Sequence, residues 1–120
     1  KIAQWRKDRP EQEQVVYHEE YTGPDRGKLH VRTGPMAGEI FPLIDDIVTI
    51  GRIDGNHIVI YDDCISKRHA GIKIEEMRYE LADFGSTSGT WVNGRKINKQ
   101  FLRDSDEIRI GNTILEFTLK

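Results

Sequence analysis

From Leu29 onward, apolar and polar positions alternate in short runs: Leu29, Val31 and Thr33; Val48 and Ile50; Ile58 and Ile60; Ile72 and Ile74; Tyr79 and Leu81; Ile108 and Ile110; Ile114, Glu116 and Thr118. A period of two is the mark of a strand with one buried face. No window sustains the i, i+3, i+4, i+7 stripe of a globular helix, isoleucine far outnumbers leucine, and alanine is scarce, all of which favour pleated sheet. Turn chemistry separates the runs at Gly34-Pro35, Asp45-Asp46, Asp54-Gly55-Asn56, Gly85-Ser86, Asn93-Gly94, Asp104-Ser105-Asp106 and Gly111-Asn112. Asn93-Gly94, between Thr90-Trp91-Val92 and Arg95-Lys96-Ile97, predicts a hairpin, because a type I′ turn needs φ > 0 at both central residues. Many short strands with frequent turns predict an all-β sandwich or barrel, and the absence of a fixed-period repeat argues against a propeller or solenoid.

The first 28 residues read differently. Pro10, Gly23, Pro24 and Gly27 sit among many charges, with the polar run Glu11 to Gln14, so the stretch offers too little apolar surface to offset chain entropy. We expect residues 1–28 to be a flexible tail or linker and residues 29–120 to be the domain. Lys1 in place of Met suggests a piece of something longer. A chain of 120 residues suits one domain, and a formal charge of −2 gives no overall attraction to nucleic acid or an anionic membrane, so any anion site must be local. No apolar run approaches the roughly 20 residues of a membrane span. Cys64 is the only cysteine, which excludes an intrachain disulfide and a Cys-rich zinc module and favours a reducing, cytoplasmic setting.

Candidate chemistry gathers in three places: Gly51-Arg52, Ser66-Lys67-Arg68-His69, and Asp83 through Gly94. A guanidinium fork, an ammonium, short hydroxyls and glycine-rich backbone are the parts of an oxyanion receptor, and phosphate fits them. Their order and spacing, with Asn56, Ile58 and Ile60, with Ala70 after Ser66-x-x-His69, and with the ending Leu102-x-Asp104-x-Asp106-x-Ile108-x-Ile110-Gly111, resemble the forkhead-associated (FHA) domain over most of residues 29–120.

The resemblance implies a twisted two-sheet antiparallel β-sandwich with its binding loops at one end, and recognition of phosphothreonine peptides without catalysis or a cofactor. It implies that Arg52, Ser66 and Lys67 bind phosphate, that Thr87 and Ser88 face the peptide, and that Gly51, His69, Asn93 and Gly94 are structural supports. Arg68 reads as a solvated or structural charge. The partner implied is a phosphothreonine-containing protein within a Ser/Thr kinase network, or the phosphorylated tail of the parent chain, where Thr22 stands in an acidic stretch. One position departs from the family pattern: Ser88-Gly89-Thr90 stands where Asn-Gly-Thr is usual, and serine is shorter with one donor instead of two. Cys64 and Ile65 fall in the loop that in the family helps select the residue three places after the phosphothreonine, and a neutral Cys64 makes no strong demand for an acid there.

Three rivals remain. A hydrolase from Ser66, His69 and Asp62 or Asp63 has the residue types but no nucleophile elbow. A metal site from His57, Asp62, Asp63, Cys64 and His69 lacks recognised spacing. A scaffold that uses the fold without phosphate is the serious competitor, and Ser88 speaks for it.

Overall fold

The alternating runs become eleven strands in the computed structural model, which describes residues 27–119. In chain order these are β1 (Lys28–Thr33), β2 (Ile40–Pro42), β3 (Ile47–Gly51), β4 (Ile58–Val59), β5 (Ala70–Glu75), β6 (Arg78–Asp83), β7 (Thr90–Val92), β8 (Arg95–Ile97), β9 (Lys99–Phe101), β10 (Glu107–Ile110) and β11 (Thr113–Thr118). They form a six-stranded sheet ordered β2-β1-β11-β10-β7-β8 and a five-stranded sheet ordered β4-β3-β5-β6-β9. Neighbours are antiparallel throughout except β3 and β4, whose two-residue pairing is parallel. Among the described residues no helix is long and apolar enough to cross a membrane.

The two sheets close over one core because their inward positions are almost all aliphatic or aromatic. Leu29, Val31, Val48, Ile50, Ile72, Leu81, Ile108, Ile110, Leu115 and Phe117 are each at most 2% exposed. Each such side chain contributes roughly 1.5–3 kcal/mol when fully buried. In β11 the inward face is Thr113, Leu115 and Phe117, whereas the expected run began at Ile114. Pairing of Leu29 with Phe117 and of Val31 with Leu115 sets this parity and turns Ile114, Glu116 and Thr118 outward. Tyr79 packs its ring against Phe117 at 4.9 Å and accepts a hydrogen bond at its hydroxyl from Gly27 N–H (2.8 Å). Gly27 and Lys28 are thereby joined to the sheets; the rest of the stretch expected to be a tail lies outside the described residues.

Strand direction sorts the connections into two ends. At one end lie the loops β3–β4 (52–57), β4–β5 (60–69) and β6–β7 (84–89) and the β10–β11 turn. At the other lie the β5–β6 turn and the Asn93-Gly94 turn between β7 and β8. Asn93 and Gly94 adopt φ 51° and 85°, as the hairpin chemistry requires.

Candidate functional site

Gly51 closes β3 directly against the following loops. A Cβ there would collide with Lys67 O and the Asn56 side chain, so only glycine lets the loops pack this closely. Asn56 is 1% exposed, and its amide donates to both Ile53 O (2.8 Å) and Lys67 O (2.9 Å), tying the β3–β4 loop to the β4–β5 loop.

Arg52 emerges from this clamp. Its backbone N–H donates to Ser66 O (3.1 Å) and its Nε to Ile65 O (2.9 Å). The guanidinium is therefore held at its base, while its terminal N–H groups have no partner among the described residues and remain available to an anion. Ser66 Oγ accepts from Thr87 N–H (3.1 Å), which leaves the hydroxyl proton free to donate elsewhere. Lys67 is exposed, and its ammonium has no ion-pair partner among the described residues. Arg52, Ser66 and Thr87 thus converge across three loops, with Lys67 next in the chain to Ser66.

His69, fully buried, holds two of those loops together. Its Nδ1 accepts from Ser66 N–H (3.1 Å) and its Nε2–H donates to Gly89 O (2.8 Å), which assigns the proton to Nε2. Both ring nitrogens are committed to backbone and neither bonds the Ser66 hydroxyl, so this pair lacks the geometry of a nucleophile and its base. Among the described residues, no three His, Cys, Asp or Glu side chains cluster closely enough to hold a metal.

Two aspartates anchor the loops: Asp62, read from the sequence only as a rival ligand, and Asp83, read only as the start of the Asp83 to Gly94 run. Asp62, 4% exposed, accepts from Cys64 N–H, Asn112 N–H and the Thr113 hydroxyl, binding the β4–β5 loop to the β10–β11 turn. Asp83 accepts from the Ser86 and Thr90 hydroxyls and from the N–H groups of Gly85 and Ser86. Burial raises its pKa, but hydrogen bonds from the Ser86 side chain, Thr90, and the backbone of Ser86 and Gly85 outweigh that and hold the carboxyl below its ordinary value. Asp83 followed three places later by Ser86 is an Asx-type turn signature that was present in the sequence.

Ser88 is exposed but engaged: its hydroxyl donates to Cys64 O (2.9 Å), bridging the β6–β7 and β4–β5 loops. Thr87, also exposed, stands beside it, its hydroxyl without a hydrogen-bond partner among the described residues. Arg68 lies over the Phe84 ring at 5.9 Å on the outer face of the five-stranded sheet, in keeping with a structural charge. Asn93 and Gly94 sit at the far end of β7 from the site, where the Asn93 amide donates to Asp106 Oδ1 (2.9 Å) and accepts from Glu107 N–H (3.0 Å).

Comparison with known proteins agrees with this architecture. The family model of the FHA domain matches residues 48–111. The oxoglutarate dehydrogenase inhibitor of Corynebacterium efficiens is 42% identical over 89 residues, covering 74% of this chain and 63% of the relative. The glycogen accumulation regulator GarA of Mycobacterium tuberculosis is 35% identical over 94 residues, covering 78% of this chain and 58% of the relative. The chain thus spans about three fifths of the length of these curated relatives. A solved FHA domain described for its phosphothreonine-dependent interactions superposes with a TM-score of 0.74 at 28% identity, covering 79% of this chain and 97% of that one. The FhaA FHA domain, solved in complex with an intracellular domain, gives a TM-score of 0.71 at 30% identity, covering 76% and 98%.

Proposed function

The chain belongs to the FHA domain family, and from that premise we propose that it is a phosphothreonine-peptide recognition module mediating phosphorylation-dependent protein interaction in signalling. The observation that carries this reading is the convergence of Arg52 and Ser66: the serine carbonyl receives the arginine backbone N–H, while an uncommitted guanidinium edge and hydroxyl proton stand in one exposed loop cluster. In this reading Arg52, Ser66 and Lys67 hold the phosphate oxygens, and Thr87 and Ser88 meet the peptide. Gly51 and His69 hold the loops in place, and Asn93-Gly94 supports β7 from its far end. A threonine γ-methyl near Thr87 would contribute about 0.8 kcal/mol over serine.

The protein acts by binding and does no chemistry of its own. Relatives named as an inhibitor and as a regulator support a controlling role. Residues 29–120 are the recognition unit and 1–28 a linker, in a cytoplasmic protein that needs no cofactor. The ligand is a substrate of a Ser/Thr kinase or the parent chain's own tail phosphorylated at Thr22. A second reading, a phosphate-independent interaction scaffold, is favoured by one observation: the Ser88 hydroxyl is spent on Cys64 O rather than offered outward.

Calorimetric titration with phosphothreonine peptides and their unphosphorylated counterparts separates the two. The phosphorylated form alone should bind, and Arg52→Ala should cost about 2–4 kcal/mol of affinity with little change in Tm. Equal binding of both forms, or an affinity indifferent to Arg52→Ala, would establish the scaffold instead.

A further inference from the structure

The loop that ends in Gly89 leads into a basic and aromatic row on the outer face of the six-stranded sheet. Trp91 is the direct cross-strand partner of Lys96 on one side and of Arg109 on the other. The Arg109 guanidinium lies over the indole, 4.8 Å from its centre, and the indole N–H donates back to Ser88 O (3.3 Å). Lys96 runs its aliphatic stem across Gly89, close enough that a Cβ on that glycine would come within 2.8 Å of Lys96 Cε. Gly89 in turn accepts from His69, the residue that holds Ser66. One imidazole therefore separates the proposed phosphate-binding serine from the backbone that Lys96 crosses.

Lys96 and Arg109 are both exposed, and neither has an ion-pair partner among the described residues. The acidic side chains of this face are placed elsewhere. Glu116 is paired with Arg32, and Glu107 lies one outward row further from the site, opposite Asn93. In a chain whose formal charge is −2, two uncompensated cations flanking a tryptophan at the rim of a peptide site form a local positive field.

We infer that this row is a subsite for acidic or additionally phosphorylated residues of the ligand, those that flank the phosphothreonine and leave the cleft past Ser88 and Gly89. The inference rests on the phosphopeptide reading above and extends it to the composition of the ligand. Lys96 supplies a mobile ammonium with three donors. Arg109, held flat by Trp91, supplies a fixed edge at smaller entropic cost. Two cations are too few for the many backbone phosphates that sustain nucleic-acid binding, which favours a peptide as the occupant.

The test uses the full chain and synthetic peptides with one central phosphothreonine, flanked by alanines, by aspartates on the N-terminal side, or by aspartates on the C-terminal side. One acidic flank should tighten binding about three- to tenfold over the alanine peptide at low salt, the sum of two exposed charge pairs. The gain should shrink with added salt and vanish in Lys96→Gln/Arg109→Gln, whose affinity for the alanine peptide stays that of the parent. A parent chain that binds the alanine peptide but shows no preference for either acidic flank, or a preference that survives the double substitution, overturns the subsite and leaves the phosphate site standing. No binding to any phosphothreonine peptide removes both. Competition by a short single-stranded oligonucleotide, reversed by the same substitutions, would reassign the row to nucleic acid.

Discussion

The β5–β6 turn and the loops of the site are shaped by different means. At the end opposite the site, β5 and β6 are joined through Glu76 and Met77, which take φ 53° and 65° with no glycine or asparagine to ease the left-handed conformation. The sheet alone imposes that turn. At the site end, loops of six to ten residues have no ladder of their own, and buried or half-buried polar side chains hold them: Asn56, Asp62, His69 and Asp83. Binding loops on a β-sandwich must show their N–H groups and hydroxyls to a ligand, so they cannot spend them on pairing, and the shape has to be supplied from beneath. Polar groups beneath these loops are the means by which the surface they form stays in order.

Asp62 carries the largest share of the support beneath the loops. Asp62→Ala leaves the N–H groups of Cys64 and Asn112 and the Thr113 hydroxyl without their acceptor. Stability should fall by about 3 kcal/mol, on the order of 10–20 °C in Tm by calorimetry, and phosphopeptide affinity should fall with it. Asp62→Asn, which retains an acceptor oxygen, should recover part of both. A Tm equal to the parent's would show that the loops hold themselves.

His69→Ala should be nearly as costly, about 2 kcal/mol in urea unfolding, because Ser66 N–H and Gly89 O lose their partner in a buried setting. Its more telling effect is on binding, since Ser66 and Gly89 are then free to separate.

Much of this architecture was legible along the chain. Strands with two or more inward aliphatics announced themselves by their period, as did the Asn93-Gly94 turn by its residues. β2 and β9 are three residues long, with Ile40 and Phe101 pointing outward, and offered no alternation to read. The β5–β6 turn has ordinary residues at positive φ and gave no turn signal. In β11 both faces carry large or β-branched residues, so parity was settled only by pairing with β1. Arg52, Ser66 and Lys67, the proposed phosphate ligands, stand out by type and spacing. The loop-spanning bonds of Asp62 to Thr113 and of Ser88 to Cys64 join residues 51 and 24 positions apart, which no local pattern reveals.

Asp83 makes the support of the β6–β7 loop depend on pH. Its carboxyl is held below the ordinary value in the folded chain, so the unfolded chain binds the proton first. Its contribution to stability is therefore complete above the unfolded pKa of about 3.9 and is lost as pH falls through the lower folded value. Acid titration of the parent should show this loss, and Asp83→Asn should be less stable at neutral pH with a shallower acid limb. An unchanged limb would mean that the four hydrogen bonds do not favour the ionised form.

Ser88→Asn probes the exposed tip. If the domain reads phosphopeptides, the longer amide should reach the ligand backbone and tighten binding about two- to tenfold, the worth of one hydrogen bond. A loss of affinity would show that the site depends on the Ser88 to Cys64 bridge, and no response together with no binding by the parent would favour the scaffold. The smallest effect belongs to the other end, where Glu76→Asn/Met77→Gly should relieve the left-handed turn and raise stability by about 1 kcal/mol, leaving phosphopeptide affinity untouched.

In the proposed mode, ligand binds at the loop end, its phosphate on Arg52, Ser66 and Lys67 and its peptide against Thr87 and Ser88. Amide chemical shifts recorded during titration with a phosphothreonine peptide test it residue by residue. The largest changes are expected at Arg52, Ser66, Lys67, Thr87 and Ser88, with none at Glu76 and Met77, and none anywhere with the unphosphorylated peptide. Shifts confined to the sheet faces or the opposite end, or identical for both peptides, would contradict it.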